Sequence, residues 1–421
     1  MFYCQHVLGM GHLLRSTEIV RALSKHFKVL FAVGGETSPD FSFPEQVELL
    51  QLKPLKTDPE FANLQVCDPS LGLEETKTLR QLELLRAFDR FVPDVVVTEL
   101  FPFGRKQFSF ELMPLLQRAR GSTNRPLIVS SIRDILVTKQ NQAKHEKFVI
   151  GLVNSFYDLV LVHGDERFVK LDDTFSRVND LNCSVKYTGY VVQQEKSPAT
   201  AISELSSRST LKPTIVVSNG SGASPGGHHL LESVLRAASY LEPAIPHEFH
   251  IFAGPLMPEE VYRRLEGFAR PLPNVRLAAY TPDLPGELRQ AKLAVSMAGY
   301  NTVMDILSTH VRALVYPMTG NGDQEQSSRA AKLARTGVLA VLDEKQLQPR
   351  RLALAIRQAL ESKPSRISLN FAGSENSAAL IRKYLRLRDT HAPQRSAGFP
   401  AWAKPGRTFR GGESRIAGRA L

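Results

Sequence analysis

His12 closes the run Gly9-Met-Gly11-His12, where a short apolar segment gives way to an amphipathic one. Two glycines one residue apart allow a tight backbone and close approach of a ligand. The amino terminus of the helix that follows offers unpaired N–H groups to an anion. An imidazole at that point, facing a cleft, has the chemistry of a general base; the alternative is a side chain that only caps the helix. The spacing is not the Gly-x-Gly-x-x-Gly of a dinucleotide turn. A carboxylate with related prospects, Glu99, ends the apolar run Asp94–Thr98 and precedes Phe101-Pro-Phe-Gly104-Arg105. Three roles are open to it: orienting His12, acting as the base, or binding a substrate hydroxyl.

Three further polar turns follow apolar runs. Ser218-Asn-Gly-Ser221-Gly222, continuing to Gly227, is dense enough in small residues to present backbone amides to a phosphate, or to be an ordinary exposed loop. Ser296-Met-Ala-Gly299-Tyr-Asn301-Thr302-Val-Met-Asp305 places polar groups and an acid where a helix should begin. Thr302 and Asp305 have capping-box spacing, or else they face a ligand. Pro317 to Arg329 is a polar loop running into a helix, and its Gln324 and Gln326 suit sugar hydroxyls or simply solvent. Arg133 and Asp134 follow another apolar run and read as an ion pair, with Arg133 also placed to bind an anion. Phe101, Phe103 and Phe108 form either an apolar rim or core, and His163–Asp165 is structural or lines the cleft.

The elements that must hold these residues alternate along the chain. Strands are expected at 2–5, 29–33, 47–50, 94–98, 127–131 and 159–162, separated by helices near 12–25, 74–90, 107–119 and 142–156. A second series runs through 214–218, 248–253, 275–277, 293–296, 313–317 and 340–342, with helices at 228–240, 258–268, 325–336 and 349–361. Continuous Val/Ile/Leu runs suit parallel strands buried on both faces. The expected fold is therefore α/β: two doubly wound parallel-sheet, Rossmann-like domains facing across a cleft. The boundaries are 1–192 for a first domain, 193–211 for a linker, 212–388 for a second domain and 389–421 for a basic disordered tail. The first strand begins almost at Met1, so it is short or the natural start lies upstream.

Composition agrees with two cores: 421 residues, 43% hydrophobic and 23% charged. Three distant cysteines argue for a reducing compartment and against a disulfide framework or zinc site. No apolar run approaches the roughly 20 residues that span a bilayer, and no leader is apparent, so a cytoplasmic protein is expected. Of the net charge of +11, residues 391–421 contribute six bases against Glu413. That tail reads as solvated, with contact to anionic lipid at the inner face of a membrane as the second reading. Nucleic acid rests on charge alone and comes last.

Together these turns resemble the family 28 glycosyltransferases, the group that includes the enzyme adding N-acetylglucosamine to the lipid-linked peptidoglycan precursor. The family's Gly-x-Gly-His matches Gly9, Gly11 and His12. Its Ser-x-x-Gly-x-x-Thr-x-x-Glu matches Ser296, Gly299, Thr302 and Asp305, and its glutamine loop matches Gln326 and, less closely, Gln324. Runs such as SSIRDIL, LVHGDERF and FAGPLMP resemble a bacterial branch of predicted glycosyltransferases. Three departures stand out: Asp305 for the usual Glu, Ser218-Asn219 for a glycine pair, and Lys292 where Asp is common.

The resemblance implies a GT-B fold and an inverting, metal-independent hexosyltransferase using a nucleotide sugar, UDP-linked, and an unknown acceptor hydroxyl, in one version lipid-linked. It implies no cofactor. Catalysis would fall to His12 and Glu99, and donor binding to Gly11, Ser221, Gly222, Tyr280, Gly299, Asn301, Thr302, Asp305, Gln324 and Gln326. Arg105 and Arg133 would lie on the acceptor side. A nucleotide-sugar hydrolase, an epimerase and a non-catalytic nucleotide-sugar-binding protein are the alternatives on the same fold.

Overall fold

A computed structural model describes residues 1–7, 9–37, 41–58, 63–194, 213–241, 246–318 and 324–390. The expected linker beyond Gln194 and the tail from 391 lie outside the described residues.

In chain order the first series is β1 (Phe2–Cys4), α1 (Gly11–Ser24), β2 (Val29–Val33), β3 (Val47–Gln51), β4 (Leu55–Thr57), β5 (Leu64–Val66), α2 (Leu73–Phe91) and β6 (Val95–Glu99). It continues with α3 (Ser109–Gly121), β7 (Leu127–Arg133), α4 (Gln142–Phe156), β8 (Leu159–His163) and β9 (Ser184–Tyr187). The second series is β10 (Thr214–Ser218), α5 (Pro225–Leu241), β11 (Glu248–Phe252), α6 (Glu259–Ala269), β12 (Val275–Ala278), α7 (Leu284–Gln290) and β13 (Leu293–Met297). It ends with α8 (Tyr300–Thr309), β14 (Ala313–Tyr316), α9 (Glu325–Arg335), β15 (Ala340–Val341), α10 (Pro349–Glu361) and α11 (Gly373–Thr390).

Two parallel sheets result, ordered β3-β2-β1-β6-β7-β8-β9 and β12-β11-β10-β13-β14-β15. Side chains alternate across each sheet because successive residues of a strand point to opposite faces. Val96, Ile128 and Val160 enter one core of the first domain, while Val97, Val129 and Leu161 enter the other. In β10, Ile215 and Val217 face one side and Val216 the other. This double burial is why these strands are continuous apolar runs.

Elements with little buried apolar surface escaped the sequence reading. The antiparallel β4–β5 hairpin is one, and the edge strand β9 is another. The expected 212–388 domain also differs from the structure at its end. Helix α11 returns to pack on α1, burying Ala378 and Ile381 with Phe2, Leu13 and Ile19. In the other direction, Tyr190 of the first series is buried with Val216, Phe252 and Val303.

Candidate active site

In each sheet the strand order reverses once: connections run outward from β1 and β6 in the first domain, and from β10 and β13 in the second. Such switch points leave a crevice beyond the carboxyl ends of the strands, where ligands bind. His12 follows β1 and Glu99 ends β6. The turns Ser218–Gly222 and Met297–Thr302 follow β10 and β13. All four segments therefore belong to the two crevices.

His12 is the second residue of α1, whose N-cap is Met10 with no side-chain cap bond, so the capping reading of His12 does not hold. Its Nδ1 lies 2.8 Å from Glu99 Oε1. The same oxygen accepts a hydrogen bond from Arg15. Glu99 is fully buried while His12 is 14% exposed. Burial pushes the imidazole down to about 3, against the pull of Glu99 and with help from Arg105 and Arg133. Burial would raise Glu99, but His12 and Arg15 hold it down at about 2. At neutral pH this pair is a neutral imidazole and a carboxylate. Nδ1–H then donates to Glu99, which puts the imidazole's lone pair on Nε2. Arg15 Nη2 lies 3.2 Å from Nδ1 because both donors converge on one acceptor.

Around this pair stand two of the expected cations. Arg105 has a left-handed backbone, φ 57°, and its Nε donates to Gln5 O at 2.9 Å. Arg133 and Asp134 do not pair with each other: as neighbours on an extended strand end, they point apart. Arg133 pairs with Glu325 at 2.6 Å, and Asp134 with Arg329 at 3.0 Å. Both pairs join the first domain to α9 of the second. Phe101, Phe103 and Phe108 are core residues, not a rim. His163 is structural, bonded to Ser131 at 2.7 Å and to Thr188 at 2.9 Å. Asp165 receives the backbone N–H of Asn370 at 3.1 Å.

The second crevice is built from main chain. A Cβ on Gly9 would lie 3.2 Å from Ser221 Oγ, so the glycine turns of the two domains touch. Asn301 Nδ2 donates to Gly11 O at 2.9 Å, a second bridge across the cleft. Gly222 has φ +87° and packs so tightly that a Cβ would come 2.8 Å from Met257 N. The ring of His228 holds the Gly222 carbonyl at 2.7 Å. Helix α8 is capped by Gly299 without a side-chain bond, so the Thr302–Asp305 capping box does not form. Space is open where a Cβ of Gly299 would stand.

Asp305 lies one turn below Asn301 and is only 1% exposed. Its Oδ2 accepts from Gln193 Nε2 at 3.2 Å, and Oδ1 has no partner. Burial pushes this carboxyl up to about 8, with Glu18 and Asp283 adding to the rise. Tyr280, 38% exposed, sits just past β12, the outermost strand. Gln324 is the exposed N-cap of α9, while Gln326 Oε1 accepts from Met318 N at 3.0 Å. The loop between them, 319–323, lies outside the described residues.

Residues not singled out from the sequence complete the interface. The Tyr300 ring lies 5.2 Å from the Arg15 guanidinium and 5.1 Å from that of Arg329, and its hydroxyl donates to His163 O at 3.0 Å. Arg15 was legible in one respect, being three residues after His12 and thus on the same helix face.

Residues 212–384 match the glycosyltransferase family 28 C-terminal domain. Over 160 residues the chain is 26% identical to the UDP-N-acetylglucosamine–N-acetylmuramyl-(pentapeptide) pyrophosphoryl-undecaprenol N-acetylglucosamine transferase of Methylorubrum extorquens (strain PA1). That match covers 38% of this chain and 43% of the relative, less than half its length. The solved structure of the spinosyn forosaminyltransferase SpnP is similar over 91% of this chain and 94% of its own, with TM-score 0.55 and 14% identity. MurG of Acinetobacter baumannii is similar over 91% and 99%, with TM-score 0.51 and 14% identity. The two sheets and the cleft between them are thus the GT-B fold of glycosyltransferases. Within that fold, the similarity to family 28 rests on the second domain.

Proposed function

We propose that the chain transfers a hexose or N-acetylhexosamine from a nucleotide sugar, UDP-linked, to an acceptor hydroxyl, with inversion and without a bound metal. The observation that carries this reading is the buried His12–Glu99 pair facing, across touching glycine turns, the amino terminus of α8. The acceptor oxygen attacks the anomeric carbon as His12 Nε2 takes its proton, and Glu99 stabilises the imidazolium that forms. The bond from the anomeric carbon to the diphosphate oxygen breaks, and the nucleoside diphosphate leaves with the electron pair. Amides of Ser221, Gly222 and Gly299 to Thr302 stabilise that charge. Among the described residues no group of three His, Cys, Asp or Glu side chains is arranged to hold a metal ion.

In this reading Asp305 takes the ribose hydroxyls through its unpartnered Oδ1, with Gln193 moving aside, and Tyr280 borders the base. Gln324 and Gln326 Nε2 meet the sugar. Arg105 and Arg133 face the acceptor. Among the described residues no helix is long and apolar enough to cross a membrane. A lipid-linked acceptor, by analogy with the curated relative, would therefore bring the protein to a membrane surface, to which the basic tail would add attraction.

A panel of UDP- and dTDP-sugars with candidate acceptors tests the proposal. Transfer that releases UDP and inverts the anomeric centre is the expected result. Release of UDP without acceptor would assign a hydrolase, an epimerised sugar an epimerase, and binding without release a non-catalytic protein.

A further inference from the structure

The second domain has a cleft at the opposite end of its sheet from the glycine turns. About 320 Å³ in volume, it lies among the residues leading into β13 and β14, the last turn of α8 and the strap 363–367. Its floor is apolar: Ile306, Leu307, Val311 and Val338 are all buried. Its walls carry Lys292, His310, Arg312, Lys363 and Arg366, and no acidic side chain lines it. Lys292 is the position where the family pattern commonly has an acid.

The walls are held in place. Arg312 Nε donates to Ser362 O at 2.6 Å, and Ser365 N–H donates to Gly337 O at 2.9 Å. Gly337 has φ +74°, and a Cβ there would lie 2.9 Å from Ser365 Oγ, so the strap needs glycine beneath it.

Several exposed arginines elsewhere pair with acids: Arg118 with Asp89 at 2.8 Å, Arg236 with Glu232 at 2.8 Å, Arg263 with Glu259 at 2.9 Å. Among the described residues Lys292, Lys363 and Arg366 have no such partner. Helix dipoles explain part of the clustering. α7, α8 and α10 all end here, and each carboxyl terminus carries about half a negative charge. Three termini offset roughly one and a half charges of the four permanent cations. A net positive field therefore remains over a low-dielectric floor, which strengthens it. On the far side of the strap a second cleft of about 290 Å³ shares Arg312 and Lys363 but is otherwise uncharged, with Leu314, Leu339 and Ala355 in its lining.

We propose that the basic cleft is a binding site for a phosphate-bearing anion, either a soluble phosphate ester or the headgroup of an anionic lipid whose apolar part lies along the neighbouring cleft. The site is separate from the glycine turns and does not depend on the reaction proposed above.

The test uses the full chain, so that the basic tail contributes equally to every sample. The cleft variant is Lys292→Glu/Lys363→Glu/Arg366→Glu. The control, Lys28→Glu/Lys144→Glu/Lys186→Glu, makes the same charge change at exposed positions of the first domain. Inorganic phosphate is titrated while the ring resonances of His310, assigned through His310→Gln, are followed by NMR. This readout is local to the cleft and blind to phosphate bound elsewhere. In parallel, sedimentation with phosphatidylcholine vesicles, with and without phosphatidylglycerol, reports lipid binding. The His310 resonances should move saturably in the wild type and control, and respond at least about tenfold more weakly in the cleft variant. A phosphate response without any variant effect on vesicle binding assigns a soluble ligand. Vesicle binding that requires phosphatidylglycerol and is lost only in the cleft variant assigns a lipid headgroup. If His310 stays silent to phosphate and the cleft variant sediments like the control, the proposal falls.

Discussion

The crevice between β1 and β6 is furnished with side chains, and the crevice between β10 and β13 with backbone. On the first side Glu99, His12 and Arg15 are buried, charged or polar, and tied by short hydrogen bonds. On the second, Gly222 and Gly299 leave main-chain amides at a loop and a helix start. The topology is the same, so it does not choose the chemistry. Proton transfer needs a titratable group held in one geometry, which side chains locked by burial supply. Charge stabilisation of a leaving diphosphate needs several fixed dipoles, which amides at a helix terminus supply without any side chain.

The contrast can be broken most severely at His12. His12→Ala should lower turnover by a factor of about 100 to 10,000 while donor affinity, measured by calorimetry, stays nearly constant; unimpaired turnover would remove His12 as the base. The wild-type pH profile of kcat/KM carries the same logic. A base must be unprotonated, and His12 sits at about 3, so activity should hold from pH 8 to 5 instead of falling near 6.5.

Next in size is the joint between the crevices. Arg329→Met leaves Asp134 buried without its cation and Glu325 with Arg133 alone, and should cost about 3–5 kcal/mol in denaturant unfolding. A cost below about 1 kcal/mol would show the interface to be wetter than the burial implies.

On the backbone side, Gly299→Ala adds one methyl group where nothing lies within 4 Å. Thermal stability should not change, yet donor affinity should weaken about tenfold, because the methyl enters space assigned to the pyrophosphate. Unchanged affinity would take this turn out of the donor site.

The smallest effect belongs to Asp305. Its folded-state value of about 8 lies above the usual carboxylate value of 3.8, so the folded chain binds the extra proton between those limits. Stability from this group is complete below about pH 4 and is lost as pH rises through 8. Asp305→Asn should therefore raise Tm at pH 8 by about 2 °C and leave it unchanged at pH 4. An equal shift at both would place the carboxylate in water.

Much of the fold was legible because parallel strands buried on both faces are continuous apolar runs. Val29–Val33, Thr214–Ser218 and Leu293–Met297 each stand out without any partner in view. The hairpin β4–β5 did not, having too few buried residues to leave a pattern. Nor did α11, whose apolar face meets α1 from almost the whole chain length away. In the site, His12 and Glu99 were visible as candidates, but their roles were not. Glu99 was equally placed as orienter, base or ligand until its Oε1 was found at Nδ1 of His12. The spacing of Thr302 and Asp305 fits a capping box or a ligand contact; the position of Gly299 at the N-cap removes the first.

By itself the sequence determined the periodicities, and hence two doubly wound sheets with a glycine-bearing or polar turn after each central strand. Those are local properties: hydrophobic period, glycine placement and helix starts act over a few residues. Only the tertiary structure decided that Arg133 and Asp134 reach across to α9, that Tyr300 lies near two arginines from different domains, and that five bases gather at the far end of the second sheet. Such pairings join residues far apart in the chain, Asn301 and Gly11 being 290 positions apart. Their partners are set by packing and by desolvation of buried charge, which have no counterpart in sequence spacing.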